Sequence, residues 1–157
     1  MMKPSILSLL MCLLLLLQLS SASATNYVLP ANIGSGPFAS CYGSGPTYTC
    51  TSKVDIGKNN TLVLNSDVTL NVSGEFKVAD NSSVDKGAHI FNVDATKIHI
   101  DGSASIMVFD SLSATGEVKV HKKANLTADL TSTSGNINID NDSTVIGNCI
   151  PSQAQCT

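Results

Sequence analysis

The sequence predicts an all-β protein: a single-domain right-handed parallel β-helix (solenoid) with disulfide-closed ends. Three observations predict it. Apolar residues alternate in short runs between Val54 and Val145, polar turn residues separate the runs, and a pair of cysteines stands at each end of the ladder. The runs are Val54/Ile56, Leu62/Leu64, Val68/Leu70/Val72, Phe76/Val78, Phe91/Val93, Ile98/Ile100, Ile106/Val108, Val118/Val120, Leu126/Ala128/Leu130, Ile137/Ile139 and Val145. Alternation with period two buries one face of a strand and wets the other. Units of about eight to twelve residues, three to a coil of roughly 25, fall within the repeat sizes of solenoids. A β-sandwich is the alternative. Most runs bury only two side chains, and the chain has no Trp and 4% aromatic residues, whereas sandwiches commonly anchor on large aromatics.

Residues 1–24 read as a signal peptide, with Lys3 as the positive start, an apolar stretch from Ile6 to Leu17, and Ala22-Ser23-Ala24 as the cleavage site. The stretch is shorter than the ~20 residues of a membrane span. Cleavage is therefore expected, with no transmembrane anchor left afterwards. Cys12 sits inside the apolar stretch rather than at the cleavage site, which excludes a lipoprotein. Residues 25–52, rich in Gly, Pro, Ser and Thr, read as an irregular N-terminal cap. Residues 53–148 hold the β-solenoid, its runs separated by residues that turn chains cheaply. Proline is absent from 47 to 150, as continuous hydrogen-bonded ladders require. Residues 149–157 read as a C-terminal disulfide tail.

Four cysteines remain after cleavage: Cys41, Cys50, Cys149 and Cys156. An even number in an exported chain argues for disulfides. Three pairings are open from sequence alone. Local pairing is the economical one, because Cys41 with Cys50 and Cys149 with Cys156 would each pin an irregular end onto the ladder. Neither spacing matches the tight Cys-x2-4-Cys of zinc sites, so no metal is expected. Solenoid ends expose unpaired backbone and need covering, and the cystines stand where covers belong.

The formal net charge is −3, with no Arg anywhere, and it becomes one unit more negative once Lys3 leaves with the leader. Without Arg the chain lacks the fork that grips phosphate and carboxylate. Without a basic patch it lacks the footprint of nucleic-acid binding, so that class is excluded. His121-Lys122-Lys123 reads as a solvated turn.

Catalytic readings find little to stand on. Polysaccharide lyases built on β-helices use a basic residue, usually Arg, to abstract a proton. Paired carboxylates for glycoside hydrolysis could be Asp94 with Asp101 or Asp140 with Asp142, but Asp beside strand ends is mostly a turn former. His89, His99 and His121 could join a Ser/His/Asp triad, yet no Gly-x-Ser-x-Gly elbow accompanies them. Asp140-Asn141-Asp142-Ser143 lacks the pattern of a calcium loop. The sequons at Asn59, Asn71, Asn81, Asn125 and Asn141 are what a chain this rich in Asn, Ser and Thr throws up by chance. Thr47, Thr49 and Thr51, with Thr131 and Thr133, are too isolated for an ice-binding ladder. Tyr27, Tyr42 and Tyr48 all fall before the ladder, so no aromatic stripe for sugars runs along it.

Several segments resemble one family. They are Tyr48-Thr49-Cys50 leading into Lys53-Val54-Asp55-Ile56, the stretch from Asp67 to Phe76, Ser134-Gly-Asn-Ile-Asn-Ile139, and the closing stretch from Gly147 to Cys156. Together they resemble the N-terminal β-helical region of MSHA-type (mannose-sensitive haemagglutinin) pilus biogenesis proteins, the MshQ-like ones in particular. The resemblance spans nearly all of residues 25–157. It implies a Gram-negative bacterial envelope or surface protein and transfers no catalytic residue. In fuller family members much longer extracellular domains follow, so the resemblance implies the solenoid module alone.

The expected function is a non-catalytic exported module of the envelope or cell surface, structural or adhesive, linked to pilus biogenesis and without cofactor. Pilus or envelope proteins, or surface carbohydrate, are the expected partners. A carbohydrate-binding or carbohydrate-active β-helix is the alternative. Met107 and Phe109, outward beside an inward Ile106 and Val108, are the candidate interaction edge. A register shift that buries one of them is the competing reading.

Overall fold

The computed structural model describes residues 24–103 and 105–157; the expected leader, apart from Ala24, lies outside them. The strands are, in order, β1 (Asn26–Leu29), β2 (Cys41–Ser44), β3 (Thr47–Cys50), β4 (Val54–Ile56), β5 (Thr61–Leu64), β6 (Val68–Val78) and β7 (Ser83–Asp85). They continue with β8 (Phe91–Asp101), β9 (Ile106–Ala114), β10 (Val118–His121), β11 (Asn125–Ser132), β12 (Ile137–Ile139), β13 (Thr144–Ile146) and β14 (Cys149–Ile150). A single 3-10 turn, Gly36–Phe38, interrupts the cap.

Each run pairs in parallel with the run one coil away, and the chain winds into a β-solenoid of about 5 turns. Three outer faces result. The first stacks β1, β5, β7 and the leading parts of β9 and β11 under β13. The second stacks β3, the leading parts of β6 and β8, the trailing parts of β9 and β11, and β14. The third stacks β4, the trailing parts of β6 and β8, β10 and β12. Among the described residues, antiparallel pairing is confined to the β2–β3 hairpin. The segment expected to be an irregular cap thus supplies β1 and β3 as rungs of the first coil.

The coil is shorter than the sequence estimate. Ser83 Oγ donates to Thr61 Oγ1 across 22 residues, and Ile90 N–H to Asp67 across 23. Ser111 Oγ donates to Asn92 across 19, as Asn148 N–H does to Asp129. The strands keep register while the corners shrink.

Register puts like on like inside. One column of the third face runs Val54, Phe76, Ile98, Val118, Ile137, and its neighbour runs Ile56, Val78, Ile100, Val120, Ile139. Ile56, Val78, Ile100 and Val120 are each 0% exposed. Three phenylalanines pack together in the interior: Phe109 stacks on Phe91 at 5.0 Å and meets Phe76 edge-on at 6.0 Å. Such contacts contribute about 0.5–1.5 kcal/mol each beyond burial.

The polar separators do more than turn the chain. Ser82, 0% exposed, donates to the Gly57 carbonyl and accepts from the Asn60 N–H one coil below. Ser132 donates to the Gly116 carbonyl at 2.6 Å and accepts from the Asn136 N–H. Ser143 accepts from the Ala124 N–H at 3.2 Å. Asp67, Asp110 and Asp129 likewise accept backbone N–H groups at another corner. Buried backbone at tight corners needs such partners. One corner admits only glycine: Gly147 sits at φ +146°, and a Cβ there would overlap the Ala128 carbonyl.

The cystines close both ends. Cys41–Cys50 spans the β2–β3 hairpin, and Cys149–Cys156 folds the tail back over β13. There Thr157 N–H donates to the Val145 carbonyl at 3.2 Å, and Gly147 N–H to the Thr157 carbonyl at 3.0 Å. At the opposite end Phe38, 0% exposed, packs edge-on against Tyr27 at 6.2 Å.

One run faces the other way from its expected phase. Met107 and Phe109 are interior, 0% and 2% exposed, while Ile106 is 69% exposed and Val108 lies half-buried on the outside. The candidate edge at Met107 and Phe109 is therefore corrected: both are core residues. The cause is Asp110. A straight strand with Ile106, Val108, Leu112 and Ala114 inward would also turn Asp110 inward. Instead the register shifts between Val108 and Ser111, where β11 moves only from Thr127 to Asp129. Asp110 then reaches solvent and pairs with Lys86 at 3.2 Å.

Two outcomes test this fold. Ile100→Asp places a charge where nothing can pair with it, and chemical denaturation should show a loss of about 3–5 kcal/mol. Asn138→Asp, outward on the same face, should stay within about 0.5 kcal/mol of the parent. Peptide mapping without reduction should recover Cys41 joined to Cys50 and Cys149 joined to Cys156. Replacing the second pair by Ala should cost about 2–3 kcal/mol, the loop-closure value for short loops. A bridge between the two ends would overturn the closure described here.

Candidate functional site

The three outer faces differ in chemistry. The third is charged: Lys53, Glu75, Lys97 and Glu117 alternate up one column, and Asp55, Lys77, His99 and Lys119 stand in the next. Local pairs knit it, among them Lys119–Glu117 at 3.2 Å and Lys53–Asp55 at 3.6 Å. The second is mostly Thr, Ser and Asn, with Asp94 and Asp129 as its outward charges and Ile150, 64% exposed, at its C-terminal end. Where it bends into the third, a dent of about 250 Å³ is bordered by Thr49, Asn71, Ser73, Asp94, Thr96 and Thr115. The first face is almost uncharged, with Asp85 the single titratable side chain among its described outward positions and with Ile106 and Ile146 protruding, 69% and 56% exposed.

A charged corner follows the third face. His99, at the end of β8, has Nε2 3.0 Å from Asp101 Oδ1 and Nδ1 3.6 Å from Glu75. Register sets His121 over Asp101, and the two imidazoles meet edge-on at 5.6 Å. His121 Nδ1 lies 3.6 Å from Asp140, which also accepts the Lys122 N–H at 3.2 Å. Lys122, in a left-handed turn with φ 59°, swings its ammonium back to Asp101 Oδ2 at 3.1 Å and to Asp80 at 3.3 Å. Lys58 reaches Asp80 from the other side at 3.3 Å.

Asp101 is 5% exposed and is enclosed by these neighbours. The His99 ring is poorly aligned on Asp101 Oδ1, which is left without a directed donor, and His121 Nε2 is also buried without a partner. Burial alone would raise the Asp80 carboxyl, but hydrogen bonds from Lys58 and Lys122 outweigh it and hold it below 3.8. Its bond to Asp101, then that to Asp80, holds the Lys122 ammonium above 10.5.

The sequence candidates sort accordingly. His99, His121, Asp101 and Asp140 come together at this corner, whereas His89 stands apart, 3.7 Å from Asp67. Asp94 and Asp101 lie on different faces and do not form a pair. Asp142 is exposed, and among the described residues no three His, Cys, Asp or Glu side chains converge as a metal cage. Thr47 and Thr49 stack on Thr69 and Asn71 rather than in a pure Thr ladder. Lys122, read from sequence as a solvated turn residue, is the clamp of the corner. Its signal was the Asp one coil below it, visible only once the coil length is known.

The chain matches no family model, no curated protein and no solved structure. Among the described residues no helix is long and apolar enough to cross a membrane. Two cystines place the folded chain in a non-reducing, extracytoplasmic compartment.

The corner predicts a stability profile for Lys122→Met. The depressed Asp80 carboxyl contributes above pH 3.8 and loses that contribution as pH falls through its folded value. The raised Lys122 ammonium contributes below pH 10.5 and loses it as pH rises through its folded value. The variant should therefore be less stable across the plateau between, and converge on the parent at both extremes. A deficit independent of pH would show that Lys122 acts through packing alone.

Proposed function

We propose that the protein is a non-catalytic exported module that works by presenting a rigid surface, structural or adhesive, at the bacterial envelope. The observation that carries the reading is the segregation of the outer faces. One is charged and internally paired, while another is nearly uncharged and carries exposed isoleucines on a rigid stack of strands. Solenoids build long flat sides of this kind as interaction faces or spacers, and protruding aliphatics on an otherwise polar surface mark docking. The sequence resemblance to MSHA-type pilus biogenesis proteins adds a partner class, envelope or pilus components.

A second reading, binding of surface carbohydrate, is favoured by the dent around Asn71 and Asp94, whose polar side chains repeat once per strand spacing of ~4.8 Å. Affinity capture from envelope extracts decides between them. The module reading expects recovery of envelope or pilus components and a loss of that recovery in Ile106→Ser, a variant on the outer face with the core untouched. Tight binding to a polysaccharide panel that is abolished by Asn71→Ala with Asp94→Ala favours the second reading. Cleavage of any panel member overturns the non-catalytic assignment.

A further inference from the structure

We propose that the first outer face is a self-association surface, and that a second copy of this chain docks on it face to face. The inference deepens the module reading by naming one occupant for the face on which that reading rests.

Outward positions on the other two faces carry Thr, Ser, Asn, His or charged side chains, the ordinary choice for wet strands, apart from Ile150 alone at the C-terminal end of the second face. On this face the phase change in β9 sends Ile106 and Val108 outward instead, and β13 adds Ile146. Ile106 and Ile146 flank a dent of about 360 Å³ floored by Leu126 and bordered by Asn125, Thr127 and Thr144. Knob and hollow thus occur on the same face, which is the self-complementarity an isologous contact needs.

Charge selects the occupant. The chain carries a net −3, so copies repel one another over most approaches. This face, with Asp85 as its lone outward charge, brings little charge of its own into a contact between copies. A strongly charged partner gains nothing from it, and an anionic membrane finds no Lys cluster around the isoleucines. The face is also a row of side chains rather than an open strand edge, so a peptide cannot add to it as another strand.

Size sets the strength. Six strands at ~4.8 Å and about four residues at ~3.3 Å give roughly 400 Å² per copy. That is about half the ~800 Å² that a standard interface buries on each side. The contact is therefore weak and reversible, populated where the protein is concentrated or held in rows.

Sedimentation of the intact exported protein, from about 1 μM to 1 mM, tests this. The weight-average mass should climb toward the dimer across that range, and the association should strengthen at higher salt as net-charge repulsion is screened. Ile106→Ser and Ile146→Ser should each weaken the dimer about tenfold or more with an unchanged melting temperature. Lys119→Ser, on the charged face, should leave it intact. A monomer throughout the range overturns the inference, as does a dimer that survives the double isoleucine change in a folded protein. The module reading is judged separately by capture from extracts. Capture lost in Ile106→Ser without any dimer supports that reading and sinks self-association. A dimer without capture does the reverse.

Discussion

Every other feature of this structure depends on parallel backbone pairing between coils. A three-residue strand such as β4 or β12 has almost no stability by itself. It persists because the strand one coil away offers carbonyls and N–H groups in register, and because like side chains then stack inside. The inside of a coil this narrow admits only a few side chains per face. One out-of-phase residue would therefore bring a polar group into the core or leave a void beside it. The chain meets the constraint by holding strand phase fixed and letting corner length vary, from 22 residues per coil early to 19 later.

Corner chemistry follows from the same constraint. Tight corners leave backbone groups without a ladder partner, and burial makes that costly. The hydroxyls of Ser82, Ser132 and Ser143 and the carboxylates of Asp67, Asp110 and Asp129 supply the missing partners from a neighbouring coil. The charged corner is an extreme case. Asp101 is buried at the end of β8, and Lys122, one coil up, must adopt a left-handed turn to reach it. These ties hold the outer faces in fixed relation, which a surface-presenting module requires.

Most of the interior was legible because period-two alternation reports burial directly. Val54 through Val78, and Val118 through Val145, face as their runs predict. The run from Ile106 to Asp110 was ambiguous because both parities are apolar: Ile106 and Val108 on one, Met107 and Phe109 on the other. β-branched residues favour strands but do not choose a face. What chose was the volume beside Phe91 and Phe76, which a phenylalanine fills, together with the need to keep Asp110 wet. Cystine pairing followed from economy, since each pair closes its own end. The charged corner was not legible. Its members are spread from Lys58 to Asp140, and only the coil length says which of them meet.

The central claim is parallel, in-register stacking, and interstrand proton contacts in solution test it most directly. In isotope-labelled protein, Ile100 should show backbone and methyl contacts to Val78 and Val120, and Leu126 to Met107 and Val145, its neighbours one coil to either side. Antiparallel contacts between successive runs, such as Ile98 and Ile100 against Ile106 and Val108 as in a hairpin, would contradict the account.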